Sequence, residues 1–142
     1  MKLIDPKDNI DSIVSMVRNA KEFVVFVSPY SYLKGWKRLK EAINEASDRG
    51  IKFSYYLRKG EGSKGLEGLS VCLFEVERLH AKMFFNEHVP VISSFHLMNN
   101  HDINWAFVID DSVEYEGLTD FFKAYIEPEA ISMTYISLNS EE

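Results

Sequence analysis

The chain has 142 residues, enough for one hydrophobic core, and carries 16 Lys and Arg against 22 Asp and Glu, a formal charge of −6. That size predicts a single domain over residues 1–142. Asp5, Asp8 and Asp11 interrupt the stretch where an export signal needs apolar residues, and the longest apolar run is far too short for a bilayer, so a cytoplasmic protein without membrane attachment is expected. Cys72 is the only cysteine, which rules out an intrachain disulfide; its apolar neighbours predict a buried thiol.

Asp5 and Pro6 read as the cap and first residue of a helix whose apolar face is Ile10, Ile13, Val14 and Val17, ending near Lys21. Residues 23–27 read as a fully buried strand. After the loop Ser28-Pro29-Tyr30-Ser31, the spacing of Trp36, Leu39, Ala42, Ile43 and Ala46 predicts a second helix closed by Gly50. A strand over 51–57 follows, then a glycine-rich loop over 59–65, read as flexible and suited to a mobile lid. Strands are expected at 70–75, 79–85, 89–95 and 105–110, with Asn86-Glu87-His88 as a hairpin turn. Asp111 or Ser112 caps a helix running through Tyr125 to Pro128, and 133–138 is a last strand. Trp36 and Trp105 sit in apolar patterns and are expected in the core. The order predicts an α/β sandwich with a mixed sheet flanked by helices.

Charge divides unevenly along the chain. Residues 1–82 hold 15 Lys and Arg against 11 acids, whereas residues 83–142 hold Lys123 alone against 11 acids. Lys34, Lys37, Arg38, Arg58, Lys59 and Lys64 form either a solvated surface or a face that meets a polyanion.

One short series carries chemistry. Side chains alternate across a strand, so in His80-Ala81-Lys82 the imidazole and the ammonium share a face, opposite Leu79, Ala81 and Met83. An imidazole supplies a nucleophile and an ammonium a fixed charge for the nonbridging oxygens of a phosphodiester. On the next stretch Ser94 and His96 share a face, and Asn104 and Ala106 do so further on. Four histidines, His80, His88, His96 and His101, fall within 22 residues, but their spacing fits no compact metal-ligand motif; neither a metal nor another cofactor is expected.

His80-Ala81-Lys82, the turn with Glu87, Ser93-Ser94-Phe95-His96 and Asn104-Trp105-Ala106 together resemble the HKD signature of the phospholipase D superfamily: H-x-K, an acidic turn, G-S-x-N and N-x-E. The segment 23–30, followed by a helix ending in Asp48-Arg49-Gly50-Ile51-Lys52, is similar to the superfamily's opening half. The resemblance implies a phospholipase D-like sandwich and a phosphodiesterase that needs no metal, most similar to the small nuclease-type members. It implies His80 as nucleophile, Lys82 and Ser94 as its catalytic companions, and His96 and Asn104 as substrate-binding residues. That chemistry uses two histidines, and this chain has one motif, so the resemblance also implies a homodimer with two His80 residues meeting at a twofold axis. Nucleic acid or another phosphodiester is the implied substrate.

The chain departs from the signature at Ser93 for glycine, His96 for asparagine and Ala106 for glutamate. The last removes the carboxylate that orients the imidazole. The departures leave open a second reading, a module that keeps the fold and binds phosphodiesters or assembles with proteins without turnover.

Overall fold

The computed structural model describes residues 1–98 and 102–133. Strand β1 (Lys2–Leu3) leads into a 3-10 turn (Pro6–Asp8) and helix α1 (Asn9–Asn19). The Asp5 carboxylate accepts from the Lys7 N–H at 3.2 Å, so the helix entry is capped where Pro6 gives up no usable donor. Helix α1 buries Ile13, Val14, Met16 and Val17. Strand β2 (Phe23–Val27) is apolar throughout because both its faces are covered: Val24 and Phe26 meet α1, whereas Val25 and Val27 point to the opposite layer.

A short strand β3 (Ser31–Tyr32) precedes helix α2 (Lys37–Asp48), which buries Leu39, Ala42, Ile43 and Ala46 beside α1. Gly50 ends it at φ +87°, a left-handed position that glycine adopts without strain. Strands β4 (Lys52–Arg58) and β5 (Cys72–Val76) run parallel to β2. Then come β6 (Met83–Asn86), β7 (Pro90–Ser93), β8 (Leu97–Met98) and β9 (Ala106–Val108). Helix α3 (Ser112–Phe121), capped by the Asp111 carboxylate, continues as a π-helix (Phe122–Ile126) and a 3-10 turn (Glu127–Glu129) into β10 (Ile131–Ser132).

Eight strands form one sheet in the order β1-β9-β7-β6-β2-β4-β5-β10, while β3 and β8 make a separate parallel pair. Strands β2, β4 and β5 are parallel and all other neighbours in the large sheet are antiparallel. Helices α1 and α2 cover one face; Phe122 and Ile126 of the π-helix pack on the other against Val25, Val27, Tyr56 and Phe85. The mixed α/β sandwich read from the sequence is the architecture found.

Several expectations need correction. Cys72 is exposed, because it opens β5 on the face opposite buried Leu73, beyond the stretch that β10 and the π-helix cover. Trp105 is exposed as well, since β9 begins only at Ala106. The strand expected over 79–85 starts at Met83, although the Ser93 N–H still reaches the Lys82 carbonyl at 3.4 Å and extends the ladder by one residue. The loop over 59–65 is pinned at its far end: Lys64–Leu66 forms a 3-10 turn, Leu66 is buried, and the Leu33 N–H donates to the Gly65 carbonyl at 3.0 Å. Met133 follows β10 as a buried residue, and the rest of the strand expected over 133–138 lies outside the described residues. No helix among the described residues is long and apolar enough to cross a membrane.

Candidate functional site

Strand directions bring the motif together. The C-terminal end of β2 lies beside the start of β6, with Val27 opposite Met83; Met83 pairs with Ile92, and Ser93 with Ala106. The residues just before β6 (His80, Lys82), just after β7 (Ser94, His96) and just before β9 (Asn104) therefore share one edge of the sheet. The loop after β2, Ser28 to Tyr30, and the end of β4, Arg58, open onto the same edge. This is the carboxyl end of the parallel strands, where open α/β sheets bind ligands because the loops there diverge.

His80 is exposed and Lys82 half-buried. The His80 and His96 rings lie edge to face with centroids 6.4 Å apart, and Tyr30 packs edge-on against His96 at 4.8 Å. The Tyr30 N–H donates to His96 Nδ1 at 3.4 Å, so in the neutral ring the proton sits on Nε2. Burial first, then the charge of Lys82 and the proximity of His80, lower the His96 pKa to about 4. His96 thus stands at neutral pH as an uncharged donor.

A polar scaffold holds this loop. The Leu97 N–H donates to Ser28 Oγ at 2.8 Å, Ser28 Oγ donates to the Tyr30 carbonyl, and the buried Tyr55 hydroxyl donates to Ser31 Oγ at 2.7 Å. Arg58 Nη1 donates to the Leu79 carbonyl at 3.2 Å, which anchors the residue before His80. Arg78, two residues before His80, takes φ +57°, an uncommon left-handed conformation for a non-glycine residue, in the turn leaving β5.

Ser94 has a different part. Its Oγ accepts from the Trp105 N–H at 2.9 Å and lies 3.1 Å from Asn104 Oδ1 and 3.4 Å from the Trp105 carbonyl. Its one proton is engaged by these acceptors, so Ser94 braces the approach to β9. Asn104 Nδ2 donates to the Asp102 carbonyl at 3.3 Å. Ala106, where the signature has a carboxylate, is fully buried in the core beneath α1 and α2.

Glu87, the motif's acidic turn residue, lies at the opposite end of β6. Its carboxylate accepts from the Glu22 and Lys21 N–H groups at 2.7 and 2.8 Å. Partial burial pushes its pKa up, and these backbone hydrogen bonds outweigh that and hold it below the usual range. His88 is in the same distant turn, and His101 lies outside the described residues. Among the described residues no three His, Cys, Asp or Glu side chains gather as a metal site.

Sequence reasoning did not place Ser28, Tyr30 or Arg58 at this edge. The available signal was position: a polar Ser-Pro-Tyr-Ser loop directly after a wholly buried strand marks the carboxyl end of a parallel strand.

No protein-family model matches the chain, and the curated proteins offer no match either. Solved structures do match. The chain is similar to Nuc from Salmonella typhimurium, a phospholipase D family member, with a TM-score of 0.67, 11% identity, and 92% of this chain and 94% of that chain covered. It is similar to NucT from Helicobacter pylori at TM-score 0.67 and 17% identity, covering 92% and 97% of the two chains. It is also similar to TrmBL2, an archaeal chromatin protein with a novel mode of DNA binding, at TM-score 0.63 and 15% identity, covering 92% of this chain and 52% of that one. The fold is phospholipase D-like.

Proposed function

We propose that this chain is a phospholipase D-like phosphodiesterase of the nuclease type, with a site shared across a homodimer. The observation that carries the reading is the meeting of His80, Lys82 and His96 at the carboxyl edge of the parallel strands, in a fold similar to that of Nuc and NucT, which the match covers almost whole.

In this reading a His80 ring nitrogen attacks phosphorus; the N–P bond forms, the P–O bond to the leaving alcohol breaks, and that oxygen takes a proton from the second copy's His80. Water then attacks phosphorus, the P–N bond breaks, and the second imidazole takes up the water's proton. Lys82 offsets charge on the nonbridging oxygens, and His96 donates its Nε2 proton to one of them. Asn104 and Ser94 hold the opposite wall. Ile103 and Trp105, both exposed beside Asn104, form an apolar rim suited to the second copy.

A specific observation favours the second reading, a phosphodiester-binding module with little or no turnover: Ala106 leaves the imidazole without its orienting carboxylate, and the Ser94 proton is spent on the β9 approach. Hydrolysis of bis(p-nitrophenyl) phosphate separates the two. The phosphodiesterase reading expects turnover that persists in EDTA and disappears in His80→Ala. Turnover that EDTA removes and zinc restores, or that survives His80→Ala, would overturn it.

A further inference from the structure

A second cationic feature adjoins this edge. Strand β3 carries the chain from Tyr30, whose N–H meets His96, to Tyr32, and pairs in parallel with β8, so Ser31 lies opposite Leu97 and Tyr32 opposite Met98. Two residues of strand advance the chain by about 7 Å. At Tyr32 the surface opens into a cleft of about 300 Å³ lined by Tyr32, Lys34, Lys40, Lys64, Gly65 and Glu67. Three lysines and one glutamate line it, a net positive charge. None of the three lysines forms an ion pair among the described residues, whereas Arg38 is paired with Asp11 at 2.6 Å and Lys37 with Glu41 at 3.9 Å. The basic face read from the sequence is therefore divided: part neutralised along α2, part concentrated around Tyr32.

The cleft is built by a close backbone contact. A Cβ on Gly65 would lie 2.3 Å from the Ser31 carbonyl oxygen and 2.7 Å from the Tyr32 Cα, so only glycine lets the Lys64–Leu66 turn lie against β3. That contact, with the Leu33 N–H bonded to the Gly65 carbonyl, holds Lys64 beside Tyr32. Tyr32 is 44% exposed, so this aromatic residue stays accessible next to the cations.

Cations that track a phosphate backbone beside an aromatic platform for a base are the two parts of a single-strand nucleic-acid groove. The geometry points to Lys34, Lys40 and Lys64 as a phosphate subsite, with Tyr32 stacking a base, that binds the single strand flanking the scissile position at His80. Recognition of a polynucleotide, rather than of a small diester or a lipid headgroup, follows from pairing the charge with an open aromatic ring. The inference rests on the proposed reading for the location of the scissile phosphate.

The test is binding of a fluorescein-labelled oligothymidylate, measured by anisotropy across a salt series in a His80→Ala background, where the probe stays intact. The background protein should bind the probe. Replacing Lys34, Lys40 and Lys64 together by Gln should weaken binding at least about tenfold and reduce the slope of log affinity against log salt by about 2, at about 0.7 per phosphate contact. Tyr32→Ala should weaken it by about tenfold, a stacking loss of about 1.4 kcal/mol. Unchanged affinity and slope in the triple variant would overturn the subsite. So would lysine-dependent binding to vesicles of equal phosphatidylglycerol and phosphatidylcholine with none to the oligonucleotide. Because the assay needs no turnover, lysine-dependent binding upholds the subsite even if the aryl diester shows His80 to be inert.

Discussion

His96 is where this site differs most from the motif it resembles, and its environment decides what it does. The Tyr30 N–H occupies Nδ1, and burial together with Lys82 and His80 keeps the ring uncharged down to about pH 4. A neutral imidazole with its proton on Nε2 presents one N–H donor, where an asparagine amide in the same place would offer two. The pH dependence follows. In the unfolded chain this imidazole takes up a proton near 6.5, whereas in the folded chain it does so only near 4. Between those values the unfolded state binds more protons, so stability is fully present above pH 6.5 and falls as the pH drops toward 4. His96→Asn should flatten that part of the profile. The check is a series of urea midpoints from pH 7 to 4 for both proteins; parallel curves would mean that the fold does not lower the His96 pKa. Ala106 is the opposite case, a fully buried methyl at the position of a carboxylate, with no polar compensation of its own.

At the scale of elements, β6 works as a fixed arm whose free end carries His80 and Lys82. The far end is tied three ways. Asn86 Nδ2 donates to the Met16 carbonyl of α1 at 2.9 Å, the Tyr115 hydroxyl of α3 donates to the Asn86 carbonyl at 2.7 Å, and Glu87 gathers the N–H groups at the start of β2. Asn86 Oδ1 also accepts from the His88 and Val89 N–H groups, which shapes the turn into β7. The acidic member of the motif is thus architectural: it secures the strand that presents the imidazole, and a site built on a secured strand is held more precisely than one on a loop. Glu87→Ala leaves backbone donors of the 21–23 turn without their carboxylate and should cost about 0.5–1.5 kcal/mol in urea denaturation. A loss below a few tenths of a kcal/mol would mean water replaces the carboxylate at no cost.

For the whole molecule, the acidic 83–142 segment includes α3 and the β9 approach, while the basic 1–82 segment supplies His80, Lys82, Arg58 and the lysine cleft. A polyanion is attracted to the second set and repelled by the first, which confines its approach despite the net charge of −6. A second copy that completes the site must come to the same edge, over exposed Ile103 and Trp105. The protein should therefore scatter light as a dimer at micromolar concentration, and Ile103→Asp with Trp105→Ala should shift it to monomer. A wild-type monomer under those conditions would remove the shared site.

The order of the main helices and strands, the α/β class and the cap at Asp5 were legible in the sequence, because they depend on local periodicity and local hydrogen bonds written within a few residues. His80 and Lys82 precede β6, so the alternation of a strand does not set their faces. The two-residue strands β1, β3, β8 and β10 were beyond the reach of the sequence, because two residues carry no period and such strands exist only through their partners. Only the tertiary structure brought His80 to within 6.4 Å of His96, spent the Ser94 proton on Asn104 and Trp105, and set Glu87 at the far end of its strand. It also exposed Cys72 and Trp105, whose apolar neighbours suggested burial. The reason is common to all of these: hydrophobic pattern reports which side of an element seeks cover, whereas the length of that cover, the register of the pairing and the identity of the polar partner arise between segments far apart in the chain.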